Sequence, residues 1–346
     1  MRFNENANLD TSSIDDLRGS GGGGGVGGRV ALGGGGLGIV GILIFFLLQM
    51  LGGGGGVGGR VAIGGGGLGI VGLIIYFLLS ALGGGGVGGG VPVPLPSGGG
   101  LGGVQQGQSA DNAQIAQACQ TGASANRQLD CEVVAVDNSL DGYWSDAFAR
   151  SGQSFQKPRL NFFSGGVSTG CGSASSDVGP FYCPPDAEIY IDLDFFKELE
   201  TRFGAQGGSF SRAYVIAHEY GHHIQNLLGT NRRVQAGDTG PTSGSVRLEL
   251  QADCYAGVWA HNATTVPTSS GQPLIQDVNQ DDVNAALDTA SRIGDDFIQS
   301  NLGGGRVDQS QFTHGSSAQR EKWWTTGYQS GDPAQCDTFA RGVNLG

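Results

Sequence analysis

One stretch limits the chain more than any other: Ala217-His218-Glu219-Tyr220-Gly221-His222-His223, set in an apolar run with helical spacing. On an α-helix His218 and His222 lie four residues apart, so both imidazoles leave the same face about one turn from each other. Two ring nitrogens placed this way can bind one tetrahedral Zn²⁺ at roughly 2.0–2.1 Å each. Glu219 sits about 100° round the helix from His218. That is too far to ligate, yet well placed to take a proton from water at the metal. A fold that uses this trio must keep the helix buried and bring a third ligand to it.

The third ligand is sought downstream, in Leu248-Glu249-Leu250-Gln251-Ala252-Asp253-Cys254, again a helix-like run. Glu249 is the natural choice. Asp253 follows on the same face and is expected to accept the second N–H of a zinc-bound histidine, fixing its tautomer. Three of the five histidines fall between 218 and 223. A His-Glu-x-x-His match can arise by chance, but with Glu-x-x-x-Asp a short distance on it points to metallopeptidase chemistry.

Charge narrows the partners. The first 110 residues balance four arginines against four acids, so the whole formal charge of −12 falls on the remainder. Such an acidic part argues against nucleic acid as a partner. All six cysteines, Cys119, Cys131, Cys171, Cys183, Cys254 and Cys336, also lie there. An even number without Cys-x-x-Cys fits three disulfides in an oxidising compartment rather than a thiolate metal site. Sequence proximity and elimination suggest the pairs 119–131, 171–183 and 254–336.

Along the chain, residues 1–20 are polar and read as a disordered tail. Residues 21–82 then hold a duplication: the Gly-rich unit starting at Val26 returns at Val57, 31 positions on. Each copy has an uncharged run, 30–51 and 61–82, which at 1.5 Å per residue would span about 33 Å, the thickness of a bilayer core. These runs are therefore expected to meet a lipid bilayer, placing the protein at a bacterial cell membrane with its catalytic part outside the cytoplasm. Arginines thin out along the chain, so each run alone prefers its N-terminal side inside, and both cannot have that if both span. Residues 83–110, rich in Gly, Pro, Ser and Gln, read as a flexible linker. Residues 111–346 read as the zinc metallopeptidase domain.

In that domain the apolar spacing predicts a helix over 130–150, strands at 160–163 and 189–193, and a short helix over 195–203. The active-site helix over 210–228 ends at Gly229, and further helices cover 245–261 and 281–299. A last helix follows Ser316 and Ser317 and carries Trp323, Trp324 and Tyr328. Helix, few strands, active-site helix and then helices is an α+β order with a mostly helical C-terminal part, preceded by the Gly-rich membrane segments. The strand at 189–193 is either an edge that pairs with a substrate backbone or an ordinary core strand. His223 points about 100° from His222 and reads as a packing residue. His261, at a helix end, and Asn262 in an Asn-x-Thr triplet are not expected in the site.

Residues 111–346 resemble the bacterial neutral zinc metallopeptidase family, whose members are usually membrane-anchored near the N-terminus. The matching pieces are Gly179-Pro-Phe-Tyr-Cys-Pro-Pro-Asp186, Ala217-His-Glu-Tyr-Gly-His-His223, Glu249-Leu-Gln-Ala-Asp-Cys254 and Ile293-Gly-Asp-Asp296. Thr313-His-Gly-Ser-Ser-Ala-Gln-Arg320, Gly327-Tyr-Gln-Ser-Gly-Asp332 and Cys336-Asp-Thr-Phe339 complete them. The doubled hydrophobic segment departs from the usual single anchor. The resemblance implies a zincin-like domain with a Glu-type third ligand and hydrolysis of peptide bonds in a peptide or protein substrate. One catalytic Zn²⁺ would be held by His218, His222 and Glu249, with Glu219 as general base. His314, and after it Tyr328, are the candidates for stabilising the oxyanion. The competing expectation is a module that keeps zinc for stability and has no turnover.

Overall fold

The structure is a computed structural model and describes residues 1–18, 112–235, 237–267 and 271–346. About half of these residues are helical, in a mixed α/β arrangement. The strands are β1 (Arg2–Phe3), β2 (Ile14–Asp16), β3 (Arg159–Phe163), β4 (Gly166–Thr169), β5 (Gly172–Ser175), β6 (Phe181–Cys183), β7 (Glu188–Asp192) and β8 (Ile275–Asp277). The helices are α1 (Asn112–Ala118), α2 (Gly122–Ala125), α3 (Leu129–Arg150), α4 (Phe195–Thr201), α5 (Ser209–Leu228) and α6 (Gly244–Asn262). Then follow α7 (Gln280–Arg292), α8 (Asp295–Phe297) and α9 (Ser317–Ser330).

The main sheet has the order β2-β3-β7-β6. β2, β3 and β7 run parallel, and β6 closes one edge antiparallel to β7. Side chains on the buried strands, such as Leu160, Phe162, Ile189 and Ile191, share a core with α3 and α5 residues including Val133, Val136, Ala213 and Ile216. One open alternative is decided here and one sequence expectation is corrected. The strand around 189–193 is internal, between β3 and β6, so its backbone is already paired and cannot receive a substrate strand. The α+β order is also replaced, because β2 lies before α1–α3 in sequence yet pairs in parallel with β3 after them.

The N-terminal residues expected to be disordered are part of the domain. β1 pairs with β8, and Phe3 and Ile14 are buried. Asp10 and Asn138 exchange two hydrogen bonds: the Asp10 N–H donates to Asn138 Oδ1 (2.7 Å), and Asn138 Nδ2 donates to the Asp10 carbonyl (2.8 Å). Where the described chain stops at Arg18 and resumes at Asn112, the two ends are neighbours. The Asp16 N–H donates to Asn112 Oδ1 at 2.7 Å, and Asn112 Nδ2 donates to Asp15 Oδ1 at 3.0 Å.

The hydrophobic runs 30–51 and 61–82 and the linker 83–110 lie outside the described residues. Among the described residues no helix is long and apolar enough to cross a membrane. The Gly-rich membrane segments of the expected fold, the contact with a lipid bilayer and the placement at a cell membrane are accordingly withdrawn. Cys119–Cys131, Cys171–Cys183 and Cys254–Cys336 are disulfides.

The helices around the site start and stop where local chemistry requires. α5 ends at Gly229, whose φ of 72° is the left-handed conformation a C-terminal cap needs. Ser243 caps α6 by accepting the Val246 N–H. Asn279 with Asp282, and Ser316 with Gln319, form reciprocal capping boxes on α7 and α9. α7 stops at Arg292 rather than running to 299, and the chain turns through Gly294 into α8.

Candidate metal centre

α5 and α6 cross with almost no space between their backbones. A Cβ on Gly221 would collide with the Cα and carbonyl of Ala252, so only glycine lets the helices meet there. This close crossing carries Glu249 of α6 to the His218 and His222 face of α5. The converging groups are His218 Nε2, His222 Nε2 and the Glu249 carboxylate, whose two oxygens each face one histidine. Their separations are 3.1 Å between the nitrogens, 3.2 Å from His218 Nε2 to Glu249 Oε2 and 3.5 Å from His222 Nε2 to Glu249 Oε1. A tetrahedral ion with bonds of 2.0–2.1 Å needs its donors about 3.3 Å apart. The triangle has the size for such an ion, and these three residues could hold one.

The neighbours determine which nitrogens carry hydrogen. Gln225 Nε2 donates to the Leu248 carbonyl at 2.6 Å, which turns Gln225 Oε1 toward His222 Nδ1 at 2.9 Å. His222 Nδ1 must then be the protonated nitrogen. His218 Nδ1 donates in the same way to Asp253 Oδ1 at 2.8 Å. In the neutral rings both Nε2 atoms are therefore bare lone pairs, facing each other and a carboxylate. Neutral rings have no hydrogen to share there, so a positive charge joins the three groups, either a second proton on His218 or a metal ion in its place.

Burial pushes His222 down to about 4. Burial also lowers His218, but the charge of Asp253 and its hydrogen bond outweigh this and bring it up to about 9. Burial raises Glu249, yet His222, His314 and His218 together hold it well below the usual carboxylate range.

A family model described as "Putative neutral zinc metallopeptidase" matches residues 48–339. The chain belongs to this family. An uncharacterized protein of Mycobacterium tuberculosis is 52% identical over 223 residues, 64% of this chain and 74% of the relative. Uncharacterized protein YpfJ of Escherichia coli is 43% identical over 205 residues, 58% of this chain and 68% of the relative. No solved structure matches the chain. Membership of the zinc metallopeptidase family implies zinc, a hydrolase class and a peptide or protein substrate, and the described His/His/Glu triangle suits that metal.

Among the other residues expected in a metallopeptidase site, Glu219 is buried beside the triangle, and its Oε2 has no hydrogen-bond partner. Burial pushes its carboxyl up to about 7, with Glu249 adding to the rise while His218 and the Tyr182 backbone N–H oppose it.

His314 is buried on the loop before α9. Asp295 shapes that loop, because its Oδ2 accepts three successive backbone N–H groups, from Thr313 (2.7 Å), His314 (2.7 Å) and Gly315 (3.0 Å). Its other oxygen lies 3.3 Å from His314 Nδ1. Burial lowers His314, but Glu249 and Asp295 raise it further, so its net shift is upward. His314 and Glu249 thus face each other electrostatically.

Tyr328 is not brought to the centre. It stacks on Trp324 with ring centroids 4.9 Å apart and packs edge-on to His261, two turns along α9 from Arg320. His223 is fully buried in a separate cluster, donating to the Gln156 carbonyl at 2.6 Å and accepting from Tyr182 Oη at 3.1 Å. Burial lowers it to about 4. Asn262 donates to the Val258 and Gly331 carbonyls.

Four residues of this region escape the sequence reading: Tyr214, Gln225, Asp295 and Arg320. Tyr214 and Gln225 had a usable signal, lying four residues before His218 and three after His222 on the same helix face. Asp295 and Arg320 lie in two of the family-like pieces, Ile293–Asp296 and Thr313–Arg320, but spacing along the chain gave them no role, because they act on residues far away in sequence.

Proposed function

We propose that the chain is a zinc peptidase that hydrolyses peptide bonds, with Zn²⁺ held by His218, His222 and Glu249. The observation that carries this is the set of contacts of 3.1–3.5 Å among the two Nε2 atoms and the Glu249 carboxylate, with the outer nitrogen of each histidine held by Asp253 or Gln225. Zinc bound there would acidify a water and polarise the scissile carbonyl. Glu219 then takes the proton of the attacking water and passes it to the leaving amine. Its support is its place next to the first ligand and a buried oxygen with no partner of its own. His314 donates to the developing oxyanion. It is supported by its burial, by its attraction to the Glu249 charge and by the loop that Asp295 builds round it. Asp253 fixes the tautomer of His218.

The test is Glu219→Gln in the full chain, with zinc content measured beside cleavage of an unbiased peptide mixture. The expected result is equal, stoichiometric zinc in both proteins and a fall in cleavage of roughly 10²–10⁴-fold in the variant. Undiminished cleavage would remove Glu219 as the base. Full zinc with no cleavage by the unaltered protein would favour the stabilising role of the metal instead.

A further inference from the structure

Among the described residues Arg320 is the only arginine in the set of largest fully buried side chains, and its Nε and Nη2 serve one carboxylate and that carboxylate's partner. Its Nε donates to Asp253 Oδ2 and its Nη2 to Asp253 Oδ1, both at 2.9 Å. Two parallel bonds of this kind fix the plane of a carboxylate that would otherwise rotate freely about its last torsion. The guanidinium is itself fixed, since Nη1 donates to the Ile293 carbonyl at 3.3 Å and Nη2 to Tyr214 Oη at 3.2 Å. Tyr214 Oη donates in turn to Asp253 Oδ1 at 2.6 Å.

The consequence falls on His218. Asp253 Oδ1 takes donors from Arg320, Tyr214 and His218 Nδ1 at once, so the direction left open on that oxygen decides where the imidazole ring must lie. Arg320 Nη2 and His218 Nδ1 are 3.4 Å apart, but each carries its hydrogen toward Asp253, so neither accepts from the other. α9 can deliver the arginine because Gly257 and Gly327 let it lie against α6 at backbone distance. A Cβ on either would overlap the other helix's backbone. The Cys254–Cys336 disulfide, one residue after Asp253, ties α6 to the turn that follows α9.

We infer that Arg320 is a positioning residue for the metal centre, holding Asp253 in the one orientation that turns His218 Nε2 toward His222 and Glu249. This rests on the reading of His218 as a zinc ligand. Lysine cannot substitute, because a single ammonium offers charge without the two-pronged geometry.

The test uses the full chain and Co²⁺ as a spectroscopic probe. Co²⁺ affinity is read by chelator competition, the visible spectrum of bound Co²⁺ reports ligand geometry, and thermal unfolding without metal reports the fold. Arg320→Met and Arg320→Lys are expected to lower Co²⁺ affinity by about 10–100-fold, as loss of an outer partner of a metal ligand does, and to change the spectrum. Adding either substitution to Asp253→Asn should cost almost nothing more, because the arginine acts through that carboxylate. If Arg320→Met does not fold, Arg320→Lys with Asp253→Asn gives the same comparison. An unaltered protein that binds no Co²⁺ would sink the zinc reading itself. A protein that binds Co²⁺, with arginine variants of unchanged affinity and spectrum, would overturn the role of Arg320 alone.

Discussion

α5 carries buried polar groups on two faces, and their hydrogens are counted differently. Toward α6, His218 and His222 turn their Nε2 atoms to each other and to Glu249, while Asp253 and Gln225 occupy their outer nitrogens. Toward α3, Tyr220 points its hydroxyl at Asp137 Oδ1 (2.6 Å) and Asp141 Oδ1 (2.9 Å). Ser13 donates to the second oxygen of Asp137 at 2.9 Å, and Lys157 pairs with the second oxygen of Asp141 at 2.5 Å. Both clusters are buried and rich in carboxylate, so burial and acidity alone do not distinguish them. Hydrogen supply does: Tyr220, Ser13 and Lys157 supply donors to the α3 face, whereas the inner atoms of the α6 face have only a second proton on His218, whose place a metal ion can take.

The largest effect separates the two faces outright. Glu249→Ala should abolish stoichiometric zinc and reduce peptide cleavage by on the order of 10³-fold or more, the several kcal/mol that a Lewis acid supplies. Asp137→Ala should leave the zinc content as it was. An alanine at 249 that still bound one zinc with unchanged affinity would erase the distinction.

A smaller effect probes the α3 face. Tyr220→Phe leaves two buried carboxylates without their shared donor and should cost about 1–3 kcal/mol of folding stability, with zinc content unchanged. Denaturant unfolding of the zinc-loaded protein measures it. A loss of metal in this variant would show that the two faces are coupled through the helix.

The smallest effect is on pH. Burial and the nearby Asp137 charge push Asp141 up to about 7, against the pull of Lys157. A carboxyl raised in the fold keeps a proton that the unfolded chain has released above about pH 4. Stability is therefore gained at low pH and lost as pH rises from about 4 toward 7. The difference in stability between the unaltered protein and Asp141→Asn should vary across that window and level off above it. A difference independent of pH would mean that Asp141 titrates normally.

Much of the metal centre was legible because its information is local. Four-residue spacing within one helix puts His218 beside His222, and the same spacing in the next helix joins Glu249 to Asp253. Helix ends were legible for the same reason: Gly229 and Ser316 act within a turn of their own position. What escaped depends on partners distant in sequence. Arg320 is 67 residues from Asp253, and a buried arginine looks like a surface one until its acceptor is known. β1 and β2 are two and three residues long, too short for any alternation to show, and they exist through pairing with β8 and β3. The order of strands, which put β7 inside the sheet, is equally invisible to a pattern along the chain.

The hydrogen bonds that Asp15 and Asp16 share with Asn112 bring two described segments, far apart in sequence, to one spot. Residues 1–18 thus act as a splint along the domain, contributing β1 and the outer strand β2. Cutting them off would strip the main sheet of that outer strand and leave β8 without its partner.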